Sequence, residues 1–289
     1  MNFIKNHPIF TFLFVAYVFS GLMWLMSFAI AGANGFTIYS NSSIFLIFAR
    51  GFSSPLHFVT VVLYGLAVYG PLLAAIIVQR VLYGRGALNM ILSQLNFKIK
   101  FKWFLLAVAI AISINVPVVF AIFVSTGFLN IGWMVAPLYW LAIVLPYFIY
   151  QLLTSGLEEP GWRGFLLPYL LKKHSSDTVS GLVGLAWAAW HYPLLLTMYW
   201  GNDATSILAT FGGFTLAIIG ASFIYTWLYK KTKSLWLAIV FHAAMNTASL
   251  FMATTGEPLL SSLPALATWV IVFILGIIDK RSIKNVARP

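Results

Sequence analysis

The sequence predicts an all-α, polytopic membrane bundle of about eight transmembrane helices, with both termini on the cytoplasmic side. Three observations carry that expectation. Of the 289 residues, 61% are hydrophobic and only 8% charged, whereas a soluble domain averages about 45–50% apolar and about 25% charged residues. Too few charges remain to cover a water-facing surface. Apolar residues run in blocks of about twenty instead of alternating in ten-residue strands, which favours membrane-spanning helices over a β-barrel. Finally, the basic residues fall on every second connection between those blocks.

In chain order the apolar stretches are 8–30, 56–82, 103–125, 136–171, 179–200, 207–229, 235–253 and 263–278. About 20 helical residues cross the hydrocarbon core, so most of them qualify as spans. The first is followed by Ala31-Gly32-Ala33, which resembles a signal-peptidase site. The apolar run before it exceeds the usual 7–15-residue signal core, so an uncleaved first span is expected. Residues 83–102 mix Ile91, Leu92, Leu95 and Phe97 with basic residues, a composition suited to lying flat at the cytoplasmic interface. The fourth stretch, with 36 residues, would extend about 54 Å as one helix against a core of about 30 Å. It contains Gly156, Pro160, Gly161 and Pro168, so a break near its middle is expected. No repeat or separate soluble segment is visible, and residues 1–289 read as one membrane domain.

Fifteen of the 17 basic residues lie at Lys5, in three alternate connections and in the C-terminal tail. The connections hold Arg80, Arg85, Lys98, Lys100 and Lys102; Lys172 and Lys173; and Lys230, Lys231 and Lys233. The tail holds Lys280, Arg281, Lys284 and Arg288, while the opposite connections carry only Arg50. The positive-inside rule places the basic set in the cytoplasm, and an even number of spans agrees with both termini being there. The net charge of +11 is thereby a topology signal with an attraction to anionic lipid. Its dispersal over separate loops argues against nucleic acid. Zero cysteines exclude thiolate catalysis, disulfides and Cys-ligated metal.

The chain has six acidic residues: Glu158, Glu159, Asp177, Asp203, Glu257 and Asp279. Four fall in loops or at a membrane edge. Glu158 and Glu159 lie inside the fourth apolar stretch, followed by Arg163, where an ionised side chain costs at least about 2.5–3.5 kcal/mol. His191 lies in the fifth stretch and His242 in the seventh, with Asn246 one turn further on the same face. Counted from the basic ends at about 1.5 Å per residue, Glu158, His191 and His242 sit roughly 13–21 Å from the cytoplasmic edge. Glu159 and Arg163, spaced i,i+4, read as a structural ion pair, and each histidine or Asn246 alone reads as interhelical hydrogen bonding. Those readings leave the shared depth of these groups unexplained.

A carboxylate beside two imidazoles can deprotonate water, and an amide can stabilise an oxyanion. The same carboxylate and histidines (Glu158, His191 and His242) form a possible zinc ligand set, although the compact H-E-x-x-H arrangement is absent. Metal use is open at this point. A proton-coupled transporter built on the same groups is a further class, disfavoured by the absence of a second broken helix in a matching position.

Glu158-Glu159-x-x-x-Arg163, then Trp187-x-x-x-His191, then His242-x-x-x-Asn246, in that order over residues 155–249, resemble the three motifs of the CPBP family. This is the CAAX protease and bacteriocin-processing family of intramembrane proteases. The resemblance implies a bundle of about eight spans, with a water-filled cavity open to the cytoplasm. It implies an endopeptidase acting on membrane-anchored peptides, prenylated CAAX chains among them, with a non-proteolytic immunity or scaffold member as the alternative. Carried over by position, Glu158 becomes the general base, oriented together with His191. His242 holds the water or substrate, Asn246 stabilises the oxyanion, and the Glu159–Arg163 pair braces the broken helix and keeps Glu158 ionised. Members are widely labelled metalloproteases, yet the resemblance equally supports a metal-independent glutamate/histidine mechanism, which is the favoured expectation. The second motif usually begins with Phe; Trp187 stands in that place and is expected to be a packing group that affects pocket shape.

Overall fold

A computed structural model describes residues 2–36, 51–126, 140–199, 201–249 and 263–286. Among these residues every regular element is helical, and no strand occurs. In chain order the helices are α1 (Asn2–Asn6), α2 (Pro8–Asn34), α3 (Pro55–Leu66), α4 (Gly70–Tyr83), α5 (Ala87–Ser93), α6 (Phe101–Thr126) and α7 (Leu145–Leu153). They continue, beyond an irregularly wound segment at 155–170, with α8 (Ser176–Trp190), α9 (Tyr192–Met198), α10 (Ala204–Thr232), α11 (Leu235–Ser249) and α12 (Leu263–Val286).

Six helical stretches are long and apolar enough to cross a membrane: Pro8–Asn34, Pro55–Ser93, Phe101–Ala121, Leu141–Leu170, Ala204–Thr232 and Leu263–Lys280. The bent pair α8–α9 brings the number to seven. The expected count of eight therefore needs α11 as well. Its 15 described residues extend only about 22 Å, short of a core of about 30 Å, and the rest of the expected stretch, 250–253, lies outside the described residues. Within each of the six apolar windows at most 33% of the residues are buried in protein. The remainder present side chains such as Phe14, Leu105, Leu208 and Phe273, all more than half exposed, as a lipid-facing surface requires. The protein is a multi-pass integral membrane protein.

Local chemistry explains the helix ends outside the apolar core. Ser54 and Ser175 accept the N–H groups of His57 and Thr178 at the starts of α3 and α8, satisfying donors that a helix leaves unpaired. Asp203 does the same for α10 through the Ser206 N–H at 2.9 Å, and its other oxygen accepts the Ser206 hydroxyl at 2.5 Å. These bonds hold the exposed Asp203 carboxyl below its usual range.

Two helix layers meet around the irregular segment. Helix α2 packs on α3 and α4, α8 packs on α10, and α11 packs on α6 and α7. Small residues permit the closest approaches, since a Cβ on Gly184 of α8 would lie 2.7 Å from the Ile219 Cα on α10. Such contacts replace the hydrophobic driving force that lipid removes. Buried Trp24, Trp162 and Trp190, with Phe12 and Phe165, join these layers in one aromatic core.

Candidate active site

The fourth apolar stretch changes its winding several times. Helix α7 stops at Thr154 (φ −114°, ψ −96°), and Ser155–Glu158 follows as a 3-10 turn. Next come a single α-turn Glu159–Gly161, a π-turn Trp162–Leu166 and an α-turn Leu167–Leu170. Pro160 has no N–H to donate, so it cannot continue the ladder. Short π-segments inside helices redirect side chains at functional sites. The break expected near the middle is thus placed at Thr154, just before the two glutamates. Gly161 lets this segment lie directly on α4: a Cβ there would stand 2.5 Å from the Pro71 backbone.

The fifth stretch also departs from expectation. A bend of 41° separates α8 from α9 at His191. Pro193 in the first turn of α9 removes an N–H from the ladder, and the His191 N–H is shared between the Ala188 and Ala189 carbonyls. The bend puts His191 at the head of a cavity, not on the side of a straight helix.

That cavity, about 380 Å³, is walled by Glu158, His191, His242 and Asn246 together with Trp187, Tyr225 and residues of α2 and α3. The four side chains singled out in the sequence therefore share one chamber, although they come from three separate parts of the chain. Glu159 and Arg163 do not line it; both are fully buried beneath it.

Each polar group has a definite partner. The Trp187 indole N–H donates to Glu158 Oε2 at 2.9 Å. His191 Nδ1 lies 2.9 Å from the Trp187 carbonyl oxygen. A carbonyl only accepts, so Nδ1 carries the proton and Nε2 is the ring nitrogen left to accept. His242 Nδ1 lies 2.7 Å from Glu159 Oε1, which fixes its ring in the same sense. Arg163 Nη1 donates to Glu159 Oε1 at 3.2 Å and lies 3.0 Å from Oε2. The Arg163 guanidinium rests on the ring faces of Trp187 (4.2 Å) and Tyr225 (3.9 Å), and its Nε and Nη2 have no acceptor among the described residues. Cation–π attraction in this desolvated position takes the place of those missing hydrogen bonds. Asn246 Nδ2 donates to Gln151 Oε1 at 2.9 Å, which leaves its second amide proton uncommitted.

Three of these relationships were not apparent from the sequence. Trp187 does more than pack, because it hydrogen-bonds the carboxylate of Glu158. His242 is tied to Glu159, whereas the motif pattern had associated it with water or substrate. Gln151, completely buried on α7, holds Asn246; an amide in an apolar span was the available signal.

Among the described residues no three His, Asp or Glu side chains gather closely enough to hold a metal ion. Glu158 Oε2 already accepts an N–H and His242 Nδ1 already faces a carboxylate. Those bonds and the one from His191 Nδ1 leave Glu158 Oε1 and the Nε2 atoms of His191 and His242 as the remaining donor atoms of the three side chains.

The class defined by this architecture is a polytopic helical membrane protein with a carboxylate, two imidazoles and an amide converging on an internal chamber. Residues 140–248 match the family described as type II CAAX prenyl endopeptidase Rce1-like. A protein of Methanococcus maripaludis named "CAAX prenyl protease 2" is similar, being 32% identical over 116 residues. That stretch covers 39% of this chain and 43% of the relative, so the chain spans less than half the length of the curated relative it matches.

Proposed function

We propose that the protein is an intramembrane endopeptidase that hydrolyses membrane-anchored peptides with water activated by Glu158 and the two histidines. The observation that carries this reading is the convergence of Glu158, His191, His242 and Asn246 on one cavity, inside the segment that matches the CAAX protease family.

In the proposed reaction, water donates a proton to Glu158, whose Oε1 is left by the bond that Trp187 makes to Oε2. The second O–H of that water donates to the acceptor nitrogen of one of the two histidines, which orients it. Its oxygen adds to the scissile carbonyl carbon, and the free amide proton of Asn246 stabilises the resulting oxyanion. Collapse breaks the C–N bond while Glu158 returns its proton to the leaving amine, giving a carboxylic acid, which then ionises to solvent, and an amine. Glu159, neutralised by Arg163 and joined to His242, anchors the second imidazole. No metal takes part in this scheme. Both termini and the opening of the chamber are assigned to the cytoplasmic side on the distribution of basic loops. The substrate class is lipid-anchored chains, with prenylated CAAX peptides as the first candidates.

The test is cleavage of a farnesylated C-terminal peptide and its unprenylated twin by purified protein, wild type against Glu158→Ala, each with and without a zinc chelator. Chelator-resistant cleavage that Glu158→Ala abolishes, with folding retained, is the expected result. Chelator-sensitive cleavage overturns the metal-free scheme. Cleavage that survives in Glu158→Ala overturns the assignment of the base.

A further inference from the structure

One residue touches almost every part of the site. Trp187, 3% exposed, donates its indole N–H to Glu158 at 2.9 Å and lays its ring face on the Arg163 guanidinium. Its carbonyl receives the His191 Nδ1 proton. Its ring also meets the His242 ring edge-on, with centroids 5.5 Å apart. A phenylalanine at 187 would keep an aromatic ring and the main-chain carbonyl. It would lose the N–H together with part of the indole's volume, so the polar contribution specific to tryptophan is the bond to Glu158.

That bond has a consequence for the carboxylate. The terminal torsion of a glutamate is broad and roughly two-fold, so an unrestrained carboxylate swings between orientations and presents either oxygen. An N–H fixed in a buried indole selects one oxygen, and charge-assisted hydrogen bonds of this kind are shorter and stronger than neutral ones.

We propose that Trp187 is a positioning residue: its indole N–H pins Oε2 of Glu158 so that Oε1 is held toward the chamber as the proton acceptor. This rests on the hydrolase reading above. The test is Trp187→Phe, read in two ways. With cleavage of the reporter peptide, kcat falls by roughly tenfold or more, as expected for a lost hydrogen bond to a charged group, while KM stays within about twofold. A substitution that merely loosened the site would raise KM and lower the unfolding midpoint equally whatever occupied position 158.

The second reading needs no activity. Thermal unfolding is compared for Trp187→Phe in the wild-type background and in a Glu158→Leu background, where the acceptor is gone. The lost volume lowers the midpoint in both, but it falls further in the first than in the second, where the substitution also removes an orphaned donor. Equal losses in both backgrounds refute the hydrogen bond. Thermal coupling with an unchanged kcat refutes the positioning role and leaves the bond. Wild-type protein that cleaves no reporter, with thermal coupling intact, overturns the hydrolase reading and with it the positioning role, again leaving the bond.

Discussion

Replacing Arg163 by methionine tests the ion pair beneath the chamber. The side chain is similar in length and apolar, so it fills most of the volume while removing the charge. Glu159 has no solvent exposure, and in the variant it would lose its cationic side-chain partner of fixed charge while keeping the bond to His242. Breaking a buried pair by deleting one member costs about 3–5 kcal/mol. Loss of the guanidinium between Trp187 and Tyr225 adds about 2 kcal/mol. Together that is roughly 5–7 kcal/mol, which at about 2–4 °C per kcal/mol lowers the unfolding midpoint by roughly 10–28 °C. Much of the cost is the stranded carboxylate, so Glu159→Gln combined with Arg163→Met should recover about 2–4 kcal/mol relative to Arg163→Met alone. The measurement is thermal or denaturant-titrated unfolding of the four proteins in micelles. A variant within 3 °C of wild type, or a double variant in which the two losses simply add, would refute the electrostatic account.

Two further outcomes follow from the geometry. Gly161→Ala forces a methyl group into the Pro71 backbone, 2.5 Å away; the expected loss is about 1–3 kcal/mol, read as a lower unfolding midpoint, whereas Gly181→Ala, with open space around its Cβ, leaves the midpoint unchanged or slightly raised. Asn246→Ala removes the proposed oxyanion donor and lowers kcat by about 10²–10³ with little change in KM; steady-state kinetics on the farnesylated peptide separate this from a binding defect.

The parts of the site carried by charge were legible in the sequence. Two adjacent glutamates and an arginine inside an apolar stretch stand out because burying a charge is expensive, and their i,i+4 spacing gives the Glu159–Arg163 pair directly. Which glutamate faces which histidine was not legible. Neighbouring residues on a helix differ by about 100° in direction, and the change of winding from α to 3-10 to π resets that direction at this point. Trp187 was masked by context, since one tryptophan among 11 in a membrane bundle reads as packing. Gln151 was passed over because a neutral amide costs far less to bury than a charge and leaves a faint signal. The bend at His191 could have been inferred from Pro193, but a proline near a helix end also reads as an ordinary terminus. For the fold, apolar runs marked the spans; at α11 the described part, Leu235–Ser249, is shorter than a full crossing, and the rest of the expected stretch lies outside the described residues.

The chamber wall has two origins. Glu158, Trp187, His191, His242 and Asn246 all fall within the 140–248 segment shared with the CAAX proteases, whereas Trp24, Tyr64, Gly65 and Val68, which line the same chamber, precede it. Pro71, the floor under Gly161, precedes it too. Reactive groups and part of the surrounding mould are thus encoded on separate stretches of chain. Exchanges at Tyr64, Gly65 or Val68 can reshape the space beside the carboxylate without disturbing any hydrogen bond that Glu158, His191 or Asn246 makes. Under the proposed hydrolase function, such a division would let the space offered to a substrate change while the reacting groups stay as they are.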